Sequence, residues 1–344
     1  MNAVRDVAGR YGIQMVILGL LICVLLVIAP DFVGENAAFA VLERLVPLGI
    51  ITAGIAATMI IGELDLSVAS MAAMSGASAI VLGGQGLGLV PLVALLTVGG
   101  LLVGAAQGWM VARAGISSLV LTVGTLILFR GVAWLVTDGV PVSLTNYAMT
   151  DPLLGRLGIL SPLSITALVV IAVIGVVLSR TRPGKEMYAV GGARQEALAA
   201  GVPLARPVVL AFAISGGCGA LAGALSSLRS ASATPDGFTT MLLLAVAAAL
   251  VGGIGLRGGR GGMVNVLFGV AITATLAAGL ASMGVKSYVS ELVTGVLLLA
   301  VVAVDAGVTW LARRRELAEH RRTLTGPLPR RTALTHEPVS PVGS

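Results

Sequence analysis

Residues 45–84 read LVPLGIITAGIAATMIIGELDLSVASMAAMSGASAIVLGG. A helix needs roughly 20 apolar residues to cross about 30 Å of hydrocarbon. This run holds enough for two, interrupted only at Gly62-Glu63-Leu64-Asp65, which reads as a short loop or as a break within the membrane. Working outward, long apolar runs separated by charges, glycines or prolines give ten candidate spans, at approximately 12–30, 40–61, 66–84, 87–111, 116–137, 163–179, 207–228, 239–256, 262–283 and 287–311. The chain is 57% apolar and 11% charged, against about 25% charged in a soluble domain. It lacks the polar surface for a water-soluble body, and the expected fold is an all-α integral membrane protein of about ten transmembrane helices.

An even number of spans puts both termini on one side. With the termini in the cytoplasm, Arg5, Arg10, Arg113, Arg180, Arg182, Lys185, Arg194, Arg206, Arg257, Arg260 and the seven tail arginines lie inside. Only Arg156, Arg229 and Lys286 fall outside, and Arg44 and Arg130 fall within spans. That bias is the positive-inside pattern, so the net charge of +6 reads as membrane orientation and not as nucleic-acid binding. The resulting organisation is a cytoplasmic N-terminus at 1–11, a transmembrane domain at 12–311 and a basic, disordered cytoplasmic tail at 312–344. The first apolar run is longer than a signal-peptide core and lacks a small-x-small cleavage site, so it is read as a retained span. Two connections are long: an outer loop, 138–162, and an inner basic loop, 180–206.

Composition also excludes function classes. Cys23 and Cys218 sit in apolar runs, and His320 and His336 in the tail, with no metal spacing among them. Aromatic residues make up 4%, too few to line a cavity with stacking rings. The ionisable residues most plainly inside spans, Glu43, Arg44, Arg130 and Glu291, do not form a proton relay, which disfavours ion-coupled transport. No span pairs a nucleophile with a base, which argues against an enzyme. A P-loop is missing too: Pro183-Gly184-Lys185-Glu186 lacks both the first glycine and the hydroxyl.

Small residues recur four apart, at Gly104 and Gly108 and at Ser215, Gly219 and Gly223, a spacing that permits close helix packing, either static or sliding. Three local patterns carry further information. In Gly62-Glu63-Leu64-Asp65-Leu66-Ser67-Val68-Ala69-Ser70, Asp65 and Ser67 either cap the third span or touch a solute. In Thr122-Val123-Gly124-Thr125-Leu126-Ile127-Leu128-Phe129-Arg130-Gly131, the arginine needs a carboxylate or water, and Asp138 is the expected partner. In the inner loop, the residues between Gly191-Gly192 and Gly201 form a helix of about two turns bounded by flexible residues.

These patterns resemble the permease subunits of bacterial ABC importers for ribose, xylose, arabinose, galactose and related small sugars, a family akin to the branched-chain amino-acid permeases. The family's G-G-I-D-L-S-V-G-S is similar to 62–70, its T-L-G-T…R-G to 122–131 and its T-R-x-G…A-x-G-G to 181–192. Its G-G-x-x-x-x-G-G-x-G is matched by 252–261, a tight cytoplasmic turn. The resemblance spans about residue 45 to Asp305. It implies a type II-like ABC importer permease in the bacterial inner membrane, dimerising with a second copy or a paralogue around a central pathway. An extracytoplasmic binding protein would deliver the solute, and a separate ATPase chain would hold ATP and Mg. This chain would carry no cofactor and perform no catalysis. By position, Gly191, Gly192, Arg194, Glu196, Ala197 and Gly201 would form the ATPase-coupling helix. Asp65, Ser67, Thr122, Thr125 and Arg130 would line the pathway or support it.

The chain departs from the family's pattern at Glu63 and Ala69, which replace glycines, and at Ala193, Glu196 and Leu198 in the coupling segment. A branched-chain amino acid, a nucleoside or a furanosyl signalling molecule is the alternative solute for the same architecture.

Overall fold

The computed structural model describes residues 2–29, 32–286, 288–296, 299 and 303. In chain order the elements are α1 (Asn2–Ile28), α2 (Glu35–Ile60), α3 (Val68–Gly83), α4 (Leu89–Ala114), α5 (Ser118–Val136) and β1 (Val142–Ser143). They continue with α6 (Asp151–Leu154), α7 (Pro162–Arg180), α8 (Arg182–Gly192), α9 (Arg194–Ala199), α10 (Ala205–Ser230) and β2 (Ser232–Ala233). Then come α11 (Thr239–Val251), α12 (Met263–Ser282) and a helical stretch at 288–296. The tail at 312–344 and most of the tenth expected span, 287–311, lie outside the described residues.

Among the described residues, seven helices are long and apolar enough to cross a membrane: α1, α2, α4, α5, α7, α10 and α12. Two expected spans, 66–84 and 239–256, are shorter. The helices there have 16 and 13 residues, about 24 and 20 Å at 1.5 Å per residue, below the roughly 30 Å of hydrocarbon. Gly253 closes α11 early, and Gly62 closes α2 ahead of the break that precedes α3. Gly62 and Gly253 adopt left-handed φ of 78° and 95°. At each, the next amide reaches back to the carbonyl of Thr58 or Ala249, closing the helix with a Schellman turn. Helix α1 instead begins ten residues before the expected span, since its polar first turns are also helical.

The core is built on α2 and α10. Helix α10 packs against α2, α3 and α4, while α12 covers α2, α11 and α1, α5 lies on α3, and α7 lies on α2. Lipid supplies no hydrophobic force between helices, so close backbone approach must hold them. At Gly104 a Cβ would run into the carbonyl oxygen of Phe212, and at Gly223 into that of Ala72. The four-residue spacing of Gly104 and Gly108 therefore seats α4 on α10, and Gly219 and Gly223 seat α10 on α3. By contrast α1, α4 and α5 show apolar side chains outward, among them Val27, Leu102 and Leu135.

Helix alternation separates two ends of the bundle. At one, β1 pairs antiparallel with β2, Val142 opposite Ala233, tying the 138–162 loop to the α10–α11 connection. The other end gathers the α2–α3 break, α8, α9 and the glycine-rich loop after α11.

Candidate coupling and translocation site

The α2–α3 break carries a buried polar hub. Asp65 is fully buried; its Oδ1 accepts from the Ser67 amide at 2.9 Å and the Ser67 hydroxyl at 2.7 Å, and its Oδ2 from the Ser215 hydroxyl on α10 at 2.7 Å. The amide nitrogen of Gln107 on α4 donates to Ser67 Oγ at 3.1 Å and to Thr125 Oγ1 on α5 at 2.6 Å. One chain of hydrogen bonds thus ties α10, the break, α4 and α5. Thr122 is fully buried beside it, with its hydroxyl 3.4 Å from the Leu64 carbonyl.

The hub lies about two turns inside the ends of the apolar helices α4 and α5. Gln107 is seven residues before the end of α4, and Thr125 seven after the start of α5, about 10 Å along each axis. Irregular backbone is tolerated there only where protein buries and satisfies it. Ser67 occupies the N-cap position of α3, yet its side chain makes no capping bond. Asp65 instead holds the Ser67 amide and hydroxyl locally and the Ser215 hydroxyl from α10, while Ser67 Oγ accepts from Gln107 of α4. Asp65, Ser67 and Thr122 face protein, while Thr125 is half-buried and Arg130 exposed.

Directly against the break lies the 180–206 segment. Thr181 caps α8, its Oγ1 accepting from the Gly184 amide at 3.2 Å. Helix α8 then runs through Gly191-Gly192, so these glycines are helical and not the flexible boundary expected from sequence. The reason is contact: a Cβ on Gly191 would run into the Ile60 carbonyl at the end of α2. That carbonyl also accepts from the Gly259 amide at 2.8 Å, and Tyr188 Oη donates to the Gly261 carbonyl at 2.9 Å. Arg194 Nη1 opens α9 by donating to Glu63 Oε1 at 2.8 Å, and Ser118 Oγ donates to Glu63 Oε2 at 2.6 Å.

The short helix expected before Gly201 is present as α9. Ala197 is its buried residue, while Glu196 and Leu198 face outward. Gly201 ends it at φ 79°, with Val202 N bonded to Ala197 O at 2.9 Å.

Arg130 does not pair with Asp138, which occupies a left-handed turn after α5. Its Nε donates at 2.6 Å to Asp236 Oδ1, in the segment leading into α11. The nearest carboxylate in sequence lost to one 106 residues away, because the bundle places α5 beside the start of α11. At the β-paired end, Glu43 of α2 pairs with Arg229 of α10 and accepts from Ser161 Oγ.

Sequence reasoning did not single out Gln107 or Asp236. Gln107 was findable as the only amide in the apolar α4 run. Nothing local marks Asp236.

The family described as "Branched-chain amino acid transport system / permease component" matches residues 37–302. This chain belongs to that family. It is 34% identical to the ribose import permease protein RbsC of Bacillus subtilis (strain 168) over 297 residues, 84% of this chain and 91% of that protein. It is 31% identical over 254 residues to the D-allose transport system permease protein AlsC of Escherichia coli (strain K12), covering 72% of this chain and 76% of that one. With the L-arabinose permease AraH of Azospirillum brasilense it shares 31% identity over 309 residues, 88% of this chain and 89% of that one. No solved structure matches. The permease family and the apolar helices together make the chain a multi-pass membrane protein, and its function is that of a transport subunit.

Proposed function

We propose that this chain is the membrane-spanning permease subunit of an ATP-driven importer for a monosaccharide or similar small polar solute. The observation that carries this reading is the match along about nine-tenths of the length of the ribose import permeases of two species. The scarcity of aromatic side chains supports it: a permease that receives its solute from a separate binding protein has no need of stacking rings. An extracytoplasmic binding protein outside, a second permease copy or paralogue alongside and an ATPase chain inside, holding ATP and Mg, complete the assembly. Both termini lie in the cytoplasm, on the side of the arginine-rich α8–α9 segment.

Within this reading, α9 receives the ATPase. Gly191 seats the segment against α2, Gly192 packs on the Gly259 turn, Arg194 joins the segment to Glu63, Ala197 anchors it, and Glu196 and Gly201 face the partner. Asp65, Ser67 and Thr122 are the supporting network, with Thr125 joining it to α5; Arg130 stands on the open face. A two-state element needs a rigid input and a network with discrete arrangements. Segment α8–α9 supplies the first, and the Asp65 hub the second.

Extraction of the tagged chain in mild detergent, followed by mass spectrometry of what copurifies, tests this. A stoichiometric chain bearing a P-loop, with ATP-dependent sugar uptake on reconstitution, is expected. Uptake driven by an ion gradient through this chain alone overturns it. A branched-chain amino acid is the second reading, favoured by the family description, and predicts uptake of leucine in place of sugar.

A further inference from the structure

A narrow groove runs between α3, α5 and the start of α11, lined by Ser70 and Ala73 of α3, Leu126 and Arg130 of α5, and Thr239 and Leu242 of α11. Its floor at Ala69-Ser70 lies two residues beyond Ser67 of the buried hub, and its rim is the Arg130–Asp236 pair. The side chains of that pair are 48% and 40% exposed, although Arg130 sits six residues inside the end of α5. Charges at such depth face water or a polar cavity, not acyl chains. The neighbouring Ile127 and Leu128 are exposed and apolar, so the polar pair stands beside an apolar face of α5.

The cavity volume is about 60 Å³, room for a few waters and too little for a sugar ring. Arg130 ties α5 to the 234–238 segment beside this groove. The half-exposed pair offers a guanidinium fork that donates and a carboxylate that accepts, and the Ser70 and Thr239 hydroxyls of the groove do either. That donor–acceptor set matches the adjacent hydroxyls of a polyol, each of which both donates and accepts.

We propose that this groove is a hydroxyl-recognition station on the translocation surface, in which Arg130 and Asp236 exchange their mutual hydrogen bond for bonds to a vicinal diol of the passing solute. The proposal rests on the importer reading and adds Asp236, Ser70 and Thr239 as residues that meet the solute. A weak station suits a pathway, because the released ion pair reforms behind the solute and favours its departure.

The test uses the full assembly of permease, ATPase and binding protein in liposomes, with D-ribose as probe. In a Cys23→Ser background, Thr239→Cys is labelled with a membrane-impermeant maleimide from the binding-protein side during ATP turnover, with and without D-ribose. Labelling that falls severalfold when D-ribose is supplied is expected. Arg130→Lys and Asp236→Asn should each lower the D-ribose taken up per ATP by roughly tenfold, the loss of one charged hydrogen bond. Should Thr239→Cys fail to assemble, Ser70→Cys reports from the opposite wall with the same expectation. Labelling indifferent to D-ribose while uptake proceeds overturns the groove assignment alone. An unmutated assembly that shows no ATP-dependent uptake of D-ribose or another sugar overturns the importer reading and this proposal with it.

Discussion

Arg194 and Glu63 lie 131 residues apart in sequence and meet at 2.8 Å, joining the first turn of α9 to the irregular backbone between α2 and α3. Two residues after Glu63, Asp65 enters the hub that holds α3, α4, α5 and α10. Arg194 is half-exposed, and an ion pair with one arm in water contributes about 0–1 kcal/mol to stability, so its consequence lies in what it connects. Removing it with Glu63→Gln or Arg194→Gln should leave thermal unfolding nearly unchanged. If α9 receives the ATPase, solute transported per ATP should fall severalfold, because α9 is then joined to the break only through backbone packing at Gly191 and the 258–261 turn. The exchanged pair, Glu63→Arg with Arg194→Glu, should restore much of the loss. Uptake and ATP hydrolysis measured on one proteoliposome preparation decide the matter.

The hub itself should behave in the opposite way, affecting stability first. Asp65→Leu strips partners from two buried hydroxyls and one buried amide, each costing about 1–3 kcal/mol when left unsatisfied. Asp65→Asn keeps an acceptor for most of them. Ser215→Ala removes one interhelical bond, of the order of 0.6 kcal/mol in a membrane bundle. Unfolding of the purified chain in detergent should rank them wild type, Ser215→Ala, Asp65→Asn, Asp65→Leu. Asp65→Leu melting with the wild type would show that the hub does not hold the helices together.

Glycines divide into two classes that the residue type alone conceals. Gly104→Ala must displace α10, because the added carbon meets the Phe212 carbonyl. Overpacking of this kind costs about 1–3 kcal/mol, and close-packed backbone has few ways to yield. Gly99 and Gly124 stand in helices with nothing within 4 Å of an added carbon. Gly99→Ala and Gly124→Ala should leave the chain folded, and stabilise it by up to roughly 1 kcal/mol through helix propensity. Monodispersity by size exclusion, followed by thermal melting, separates the classes.

Much of this architecture is legible in the sequence, for physical reasons. Apolar length reports spans wherever a helix crosses in one piece, as in α4 or α7. At α3 and α11 the helix is shorter than the apolar run, because hydropathy sees composition, while Gly62 ends α2 before the break and Gly253 ends α11. Motif order marks Asp65, Ser67, Thr122 and Thr125, and all four lie in or beside one hub. Partner choice is not legible. Asp138 is near Arg130 in sequence, yet Asp236 holds it, because ion pairing depends on which helices the glycine contacts bring together. Glu63 reads as a departure from the family's glycine and gains meaning only once Arg194 is placed beside it.

Gly201 offers a last test, because its own surroundings say so little. Nothing lies within 4 Å of where its side chain would begin, so a large residue meets no obstacle within the chain. Its φ of 79° costs a non-glycine residue about 1–2 kcal/mol, confined to the end of α9. Gly201→Trp should therefore insert and fold, and Gly201→Ala should carry the same backbone strain without the bulk. If α9 is the surface on which the ATPase closes, the tryptophan should abolish ATP-driven uptake and weaken copurification of the ATPase, while the alanine retains most of both. Normal uptake by a well-expressed Gly201→Trp chain would remove the docking role of α9. Equal losses in the two variants would assign the effect to strain at the end of the helix.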